Sequence, residues 1–175
     1  MAKAPATSEI SLTSREFRNT MGLFATGVTV ITLGHGEDVR AMTANAVTSL
    51  SLDPLLLICC IDKQANCAPY FQLGEKFCMS ILTRQQEALS NYFAGIWPDD
   101  DPPPSFELVR WQDSARLAGS AAAIECEVRE LLEGGDHWIV IGLVTGLWRS
   151  NNPLNPLIFF QGRYSQLSAQ GSAEI

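Results

Sequence analysis

The run Leu55-Leu-Leu-Ile-Cys-Cys-Ile61 is apolar at every position and follows directly on Asp53-Pro54. Proline lacks an amide donor and keeps the residue before it out of helical geometry, so one element ends there and another begins. An unbroken apolar run this short suits a strand covered on both faces, where neither side meets water. Leu55 to Ile61 is therefore expected at the centre of the fold, and its neighbours in sequence must supply the cover.

Those neighbours read mostly as strands. Thr13-Ser14-Arg15-Glu16 has capping-box form, and Phe17, Met21 and Phe24 repeat at helical spacing, which predicts an amphipathic helix ended by Gly27. Val28 to Thr32 and Arg40 to Leu52 are rich in β-branched residues and read as a hairpin about the GHGED turn. A short helix around Cys67 to Leu73, a strand from Lys76 to Leu82 and a helix capped by Thr83 and Gln86 follow. The WPDDDPPPSFE segment is read as a surface loop. Ala121 to Leu132, His137 to Trp148 and Leu157 to Tyr164 read as three more strands, the first two joined by Glu-Gly-Gly-Asp. Six or seven strands with few helices predict a mainly β fold, a closed antiparallel barrel.

With 46% hydrophobic residues in a chain of 175, one compact domain is expected. The boundaries fall at 1–14 for a flexible N-terminal segment, 15–168 for the domain and 169–175 for a tail. A net charge of −7 argues against nucleic acid as a partner. MAKAPATSEI lacks an apolar core and Pro54 to Ile61 is too short to cross a bilayer, so a cytoplasmic protein without a membrane partner is expected. Cys59, Cys60, Cys67, Cys78 and Cys126 read as reduced thiols, mostly buried. Two histidines, one of them His35 in a glycine-rich turn, disfavour a metal site. Gly34-x-Gly36 is followed by Val39 where a dinucleotide fingerprint needs its third glycine, and no nucleophile elbow or P-loop occurs.

Four motifs stand in order: Thr43-Ala44-Asn45, Ser51-Leu52-Asp53-Pro54, Gly135-Asp136-His137 and Gly162-Arg163-Tyr164. Read from residue types alone, the first is a strand of small and β-branched residues, and a lone histidine at a strand start is structural. Taken together, across Phe17 to Leu167, they resemble the flavin reductase family, the small reductase components of two-component flavin-dependent monooxygenases.

That resemblance implies a split β-barrel homodimer in which NADH or NADPH reduces FMN or FAD by hydride transfer, and a separate flavin-dependent oxygenase receives the reduced flavin. Thr43, Ala44, Asn45 and Ala46 would let backbone amides approach the ring, with Asn45 both donating and accepting hydrogen bonds. Cys60, Ile61, Asp62, Lys63, Asn66 and Cys67 would lie at the flavin phosphate, with Lys63 as its charge partner. Ala65-Asn66-Cys67 lacks hydroxyls usual in the family, which leaves the choice between FMN and FAD open. His137 and Tyr164 would bind the nicotinamide dinucleotide. No residue is expected to act as an acid or base, because hydride transfer depends on stacking and alignment. Gly135-Asp136-His137 and Gly162-Arg163-Tyr164 argue against a pyridoxamine-phosphate-oxidase relative, and the alternative that stays open is a non-catalytic flavin- or haem-binding module.

Overall fold

The computed structural model describes residues 11–34, 38–152 and 155–167. His35, Gly36, most of the N-terminal segment and the C-terminal tail lie outside the described residues.

Helix α1 (Ser14–Met21) starts where the cap predicts, with Thr13 Oγ1 accepting the Glu16 amide at 3.2 Å. It ends six residues before Gly27. Gly22 donates to the Arg18 carbonyl as the C-cap, and Gly27 instead pairs with Ile158 across strands β1 (Thr26–Gly27) and β11 (Ile158–Phe160). No residue of α1 is buried.

Strands β2 (Thr29–Leu33), β3 (Arg40–Ala44), β4 (Val47–Leu52), β5 (Leu55–Asp62), β6 (Lys76–Ile81), β9 (Ala122–Gly134) and β10 (His137–Arg149) form one antiparallel sheet in the order β3-β2-β6-β9-β10-β5-β4. Its two edge strands are successive in the chain, so Asn45-Ala46 alone must bridge the ends and the sheet has to curl. The barrel is therefore closed by the chain and not by a β3–β4 ladder, which corrects the expected closed barrel. The segment 40–52 is two strands and not one, because it turns this corner.

Leu55 to Ile61 lies next to the edge of the sheet and is fully covered on one face only. Leu57, Cys59 and Ile61 are buried, while Leu56, Ile58 and Cys60 are half-buried. The strand covered on both faces is β2, all five residues of which are buried. Its Ile31 and Leu33 join Phe77, Cys126 and Val140 inside the curl. Its Val30 joins Leu82, Leu89, Leu117 and Leu157 in a second cluster outside it. Helix α2 (Glu87–Phe93) and the hairpin β7 (Leu108–Trp111) with β8 (Ser114–Leu117) supply that second cover, and the hairpin was not expected from the sequence.

Three more elements differ in detail. The short helix is a single 3-10 turn at Ala68–Tyr70, which carries Pro69 in its first positions. The capping box of Thr83 and Gln86 forms, on a 3-10 turn that runs into α2. Leu157 to Tyr164 folds back on itself as β11 and β12 (Arg163–Ser165) about Gln161-Gly162, both at positive φ, and this hairpin joins β1 in a small separate sheet.

Candidate functional site

The strand register brings the first and third motifs together, while Ser51-Leu52-Asp53-Pro54 forms the β4–β5 turn at the opposite end of these strands. Ala46 accepts the Cys60 amide at 2.9 Å, so the Thr43–Ala46 segment runs beside the end of β5. On the other side of β5, Asp62 pairs with His137 at the start of β10. Lys63 donates its amide to the Asp136 carbonyl at 3.0 Å, fixing the β9–β10 tip where Gly135 takes the positive φ of a tight turn.

The fourth motif reaches the same segment through two links. Thr43 Oγ1 donates to the Ser90 carbonyl on α2 at 2.7 Å, and Ser90 Oγ lies 2.8 Å from the Tyr164 hydroxyl. Asn45 Nδ2 donates to Thr26 Oγ1 at 3.2 Å, and Thr26 is paired with Phe159 on the β11–β12 hairpin. Ala44 faces the opposite way into the core, its carbonyl holding Thr29 Oγ1 at 2.6 Å.

Asn45 and Ala46 are exposed, and beside them lies a cavity of about 310 Å³ whose wall includes Phe24, Gly27, Val47 and Met79. A second, apolar cavity of about 300 Å³ shares Val47, Thr48, Met79 and Ile81 with it and continues along Leu55, Leu57 and Leu147. An amide side chain at the rim of an apolar trough suits a flat ring system with one polar and one hydrocarbon edge.

Residues expected at a phosphate are arranged less simply. Lys63 Nζ sits 4.7 Å over the Trp138 ring and 3.6 Å from Glu133, both on the hairpin, so its charge already has partners. Asp62 Oδ1 accepts the Gln64 amide at 2.8 Å, Ile61 is wholly buried core, Asn66 is exposed, and Cys67 is 3% exposed. The three-residue turn after Cys67 is too short to supply a helix dipole.

His137 Nδ1 lies 2.7 Å from Asp136 Oδ1, and this bond holds the Asp136 carboxyl below the usual aspartate range. The imidazole is thereby oriented with Nε2 as its remaining polar atom. Burial pushes the Cys78 and Cys126 thiols up to about 12 and raises Cys59 and Cys67 too, so none of these four is a ready nucleophile.

Sequence reasoning missed Thr26, Ser90, Asn91, Glu133 and Trp138. The small polar pair Ser90-Asn91, set between Leu89 and Phe93 on a short helix, is a signal legible only afterwards, since polar residues flanking an apolar stripe are usually solvated.

Residues 21–168 match the flavin reductase like domain. The chain belongs to this family. It is 36% identical over 151 residues, 86% of this chain and 95% of the relative, to the 4-hydroxyphenylacetate 3-monooxygenase reductase component of Thermus thermophilus. An NADH-dependent FAD reductase of Streptomyces globisporus is 38% identical over 74% of this chain and 72% of its own. Among solved structures, flavin reductase PheA2 superposes with a TM-score of 0.83 at 37% identity, covering 90% of this chain and 99% of that one. The family expected from the four motifs is thus confirmed, as is a mainly β fold with few helices. Among the described residues no helix is long and apolar enough to cross a membrane.

Proposed function

We propose that this chain is an NAD(P)H-dependent flavin reductase that passes reduced FMN or FAD to a separate flavin-dependent oxygenase. The observation that carries the reading is the convergence of Thr43-Ala44-Asn45-Ala46, the end of β5 and His137 on adjoining strand ends, in a chain whose family match spans residues 21–168. The relatives support the chemistry: one is named as a monooxygenase reductase component and others as NADH-dependent reductases of FAD or FMN.

Flavin supplies the two-electron acceptor; the chain supplies alignment. Among the described residues the Asn45 side-chain carbonyl oxygen has no partner and can take a ring N–H, while its amino group is held by Thr26. Ala46, which is exposed, leaves room for a close approach, whereas Ala44 is buried in the core. His137, steadied by Asp136, lies at the rim where a dinucleotide would enter. Lys63 serves a phosphate only in competition with Glu133, which agrees with a flavin that binds and leaves.

We also assign the working form as a homodimer in the cytoplasm. Phe24, Leu52, Leu55 and Leu147 are exposed along the open trough, and Phe17 and Met21 of α1 are exposed as well. So much apolar surface around an unfinished cavity calls for a second copy. Purified protein mixed with NADH and FMN, and separately with FAD, should consume NADH catalytically; a rate no higher than that of flavin and NADH alone would overturn the assignment in favour of a non-catalytic module.

A further inference from the structure

We propose that the β11–β12 hairpin is a clamp that sets the flavin strand, and that Tyr164 is a positioning residue within it whose hydroxyl acts through α2 on Thr43. This rests on the reading that Thr43–Ala46 holds flavin. It gives Tyr164 a different task from the dinucleotide contact that the family resemblance implies.

The hydroxyl is already committed. It donates to Asn91 Oδ1 at 3.0 Å, which leaves the Ser90 hydroxyl, 2.8 Å away, to donate to the phenol oxygen. A phenol has one hydrogen, so Tyr164 has no donor left for a nicotinamide carboxamide. Its ring stands edge-on to Phe159 at 5.6 Å and packs on the outer core cluster.

What the hydroxyl holds is one side of the flavin strand. Ser90 is wholly buried, and its carbonyl takes the Thr43 hydroxyl. Ala44, the last residue of β3, turns into the core, and the residues on either side of it make the outward contacts. Each of these two is tied to the hairpin by a separate route, Thr43 through α2 and Asn45 through Thr26 on β1. The hairpin belongs to a small sheet of its own and is anchored elsewhere by Gln161 donating to Gly22 at 2.7 Å and by the Thr83–Pro156 bridge. It therefore acts as a separate piece whose seating fixes where Thr43 and Asn45 stand.

The test is a set of variants read by FMN titration, NADH kinetics at saturating FMN and thermal melting. Tyr164→Phe keeps the ring and removes the hydroxyl; FMN should bind about tenfold more weakly, with KM for NADH within about twofold of wild type. Asn91→Ala should reproduce this loss, and Asn91→Asp, which keeps the acceptor, should restore binding. Thr43→Val should weaken FMN as well, and the double variant Tyr164→Phe with Thr43→Val should be no worse than either alone, since both cut one chain of bonds. The visible spectrum of bound FMN should shift in Tyr164→Phe, a change that a hydroxyl serving stability alone would not produce. A raised KM for NADH with FMN affinity intact would overturn the clamp and place the hydroxyl on the dinucleotide. Additive losses in the double variant would overturn it too. Asn45→Ala separates the layers: if it weakens FMN while Tyr164→Phe does not, only the clamp fails, and if neither does, the flavin strand assignment fails and the clamp with it.

Discussion

Glu125 of β9 is 1% exposed, and no lysine, arginine or histidine pairs with it among the described residues. Three donors hold the carboxylate instead. Oε1 accepts the Asp113 amide at 3.0 Å and the Ser114 hydroxyl at 2.8 Å, and Oε2 accepts Thr145 Oγ1 at 3.0 Å. Thr145 reaches it because β10 shifts register between Val144 and Gly146, and a side chain at Gly146 would stand 2.7 Å from Gln112 Nε2. These contacts fasten the β7–β8 turn to the main sheet, so that β8 can cover β2 and β6. Glu125→Ala strands the buried Ser114 hydroxyl and leaves a void, while the exposed Asp113 and Thr145 turn to water. The loss should be about 3–5 kcal/mol. Glu125→Gln keeps the shape and Oε1, reverses only the Thr145 bond, and should cost about 1 kcal/mol. In a chain of this size those values correspond to melting temperatures lower by roughly 6–20 °C and roughly 2–4 °C. Urea unfolding of the two variants measures both. A glutamine variant as unstable as the alanine variant, or an alanine variant within about 1 kcal/mol of wild type, would refute the reasoning.

Further outcomes follow from the site. His137→Ala should lower kcat/KM for NADH about 5- to 150-fold with FMN affinity kept and only the small contribution of its exposed pair with Asp136 lost from stability; lowered FMN affinity with NADH kinetics kept would make it a structural residue. The lowered Asp136 pKa means that its pairing with His137 stabilises the fold above the ordinary aspartate pKa and ceases to do so as pH falls through the lowered value. The stability gap between wild type and Asp136→Asn should accordingly close in acid; a gap that persists in strong acid contradicts the pairing. Of five cysteines, only Cys60 is not buried, so a thiol reagent should label about one site quickly in the native protein and all five after denaturation. Rapid native labelling of three or more would show that the core is not closed.

The sequence showed the element types and their order well, because strand alternation, capping residues and turn residues act over a few neighbours. It misplaced the doubly covered strand because full apolarity records how much cover a strand could accept, not what packs on it. Cys60 and Ile58 are apolar, yet among the described residues their face is only half covered, whereas β2 carries Thr29 and Thr32 and is covered on both. The β7–β8 hairpin was invisible because it docks with polar groups: Leu117 donates its amide to Ser80 Oγ at 3.0 Å, and the Thr32 hydroxyl donates to the Ala115 carbonyl. At the site, Asn45 and His137 were legible from their motifs. The roles of Ser90, Asn91 and Thr26 depend on contacts across dozens of residues, and a single sequence carries no local mark of them.

Two-electron reduction of flavin by a reduced nicotinamide at the site these motifs assemble can be followed in the absence of oxygen. One equivalent of NADH, added anaerobically to the protein with one equivalent of FMN, should bleach the visible flavin absorbance completely, in step with loss of the nicotinamide absorbance and far faster than in protein-free solution. An unchanged flavin spectrum, or bleaching at the protein-free rate, would contradict it.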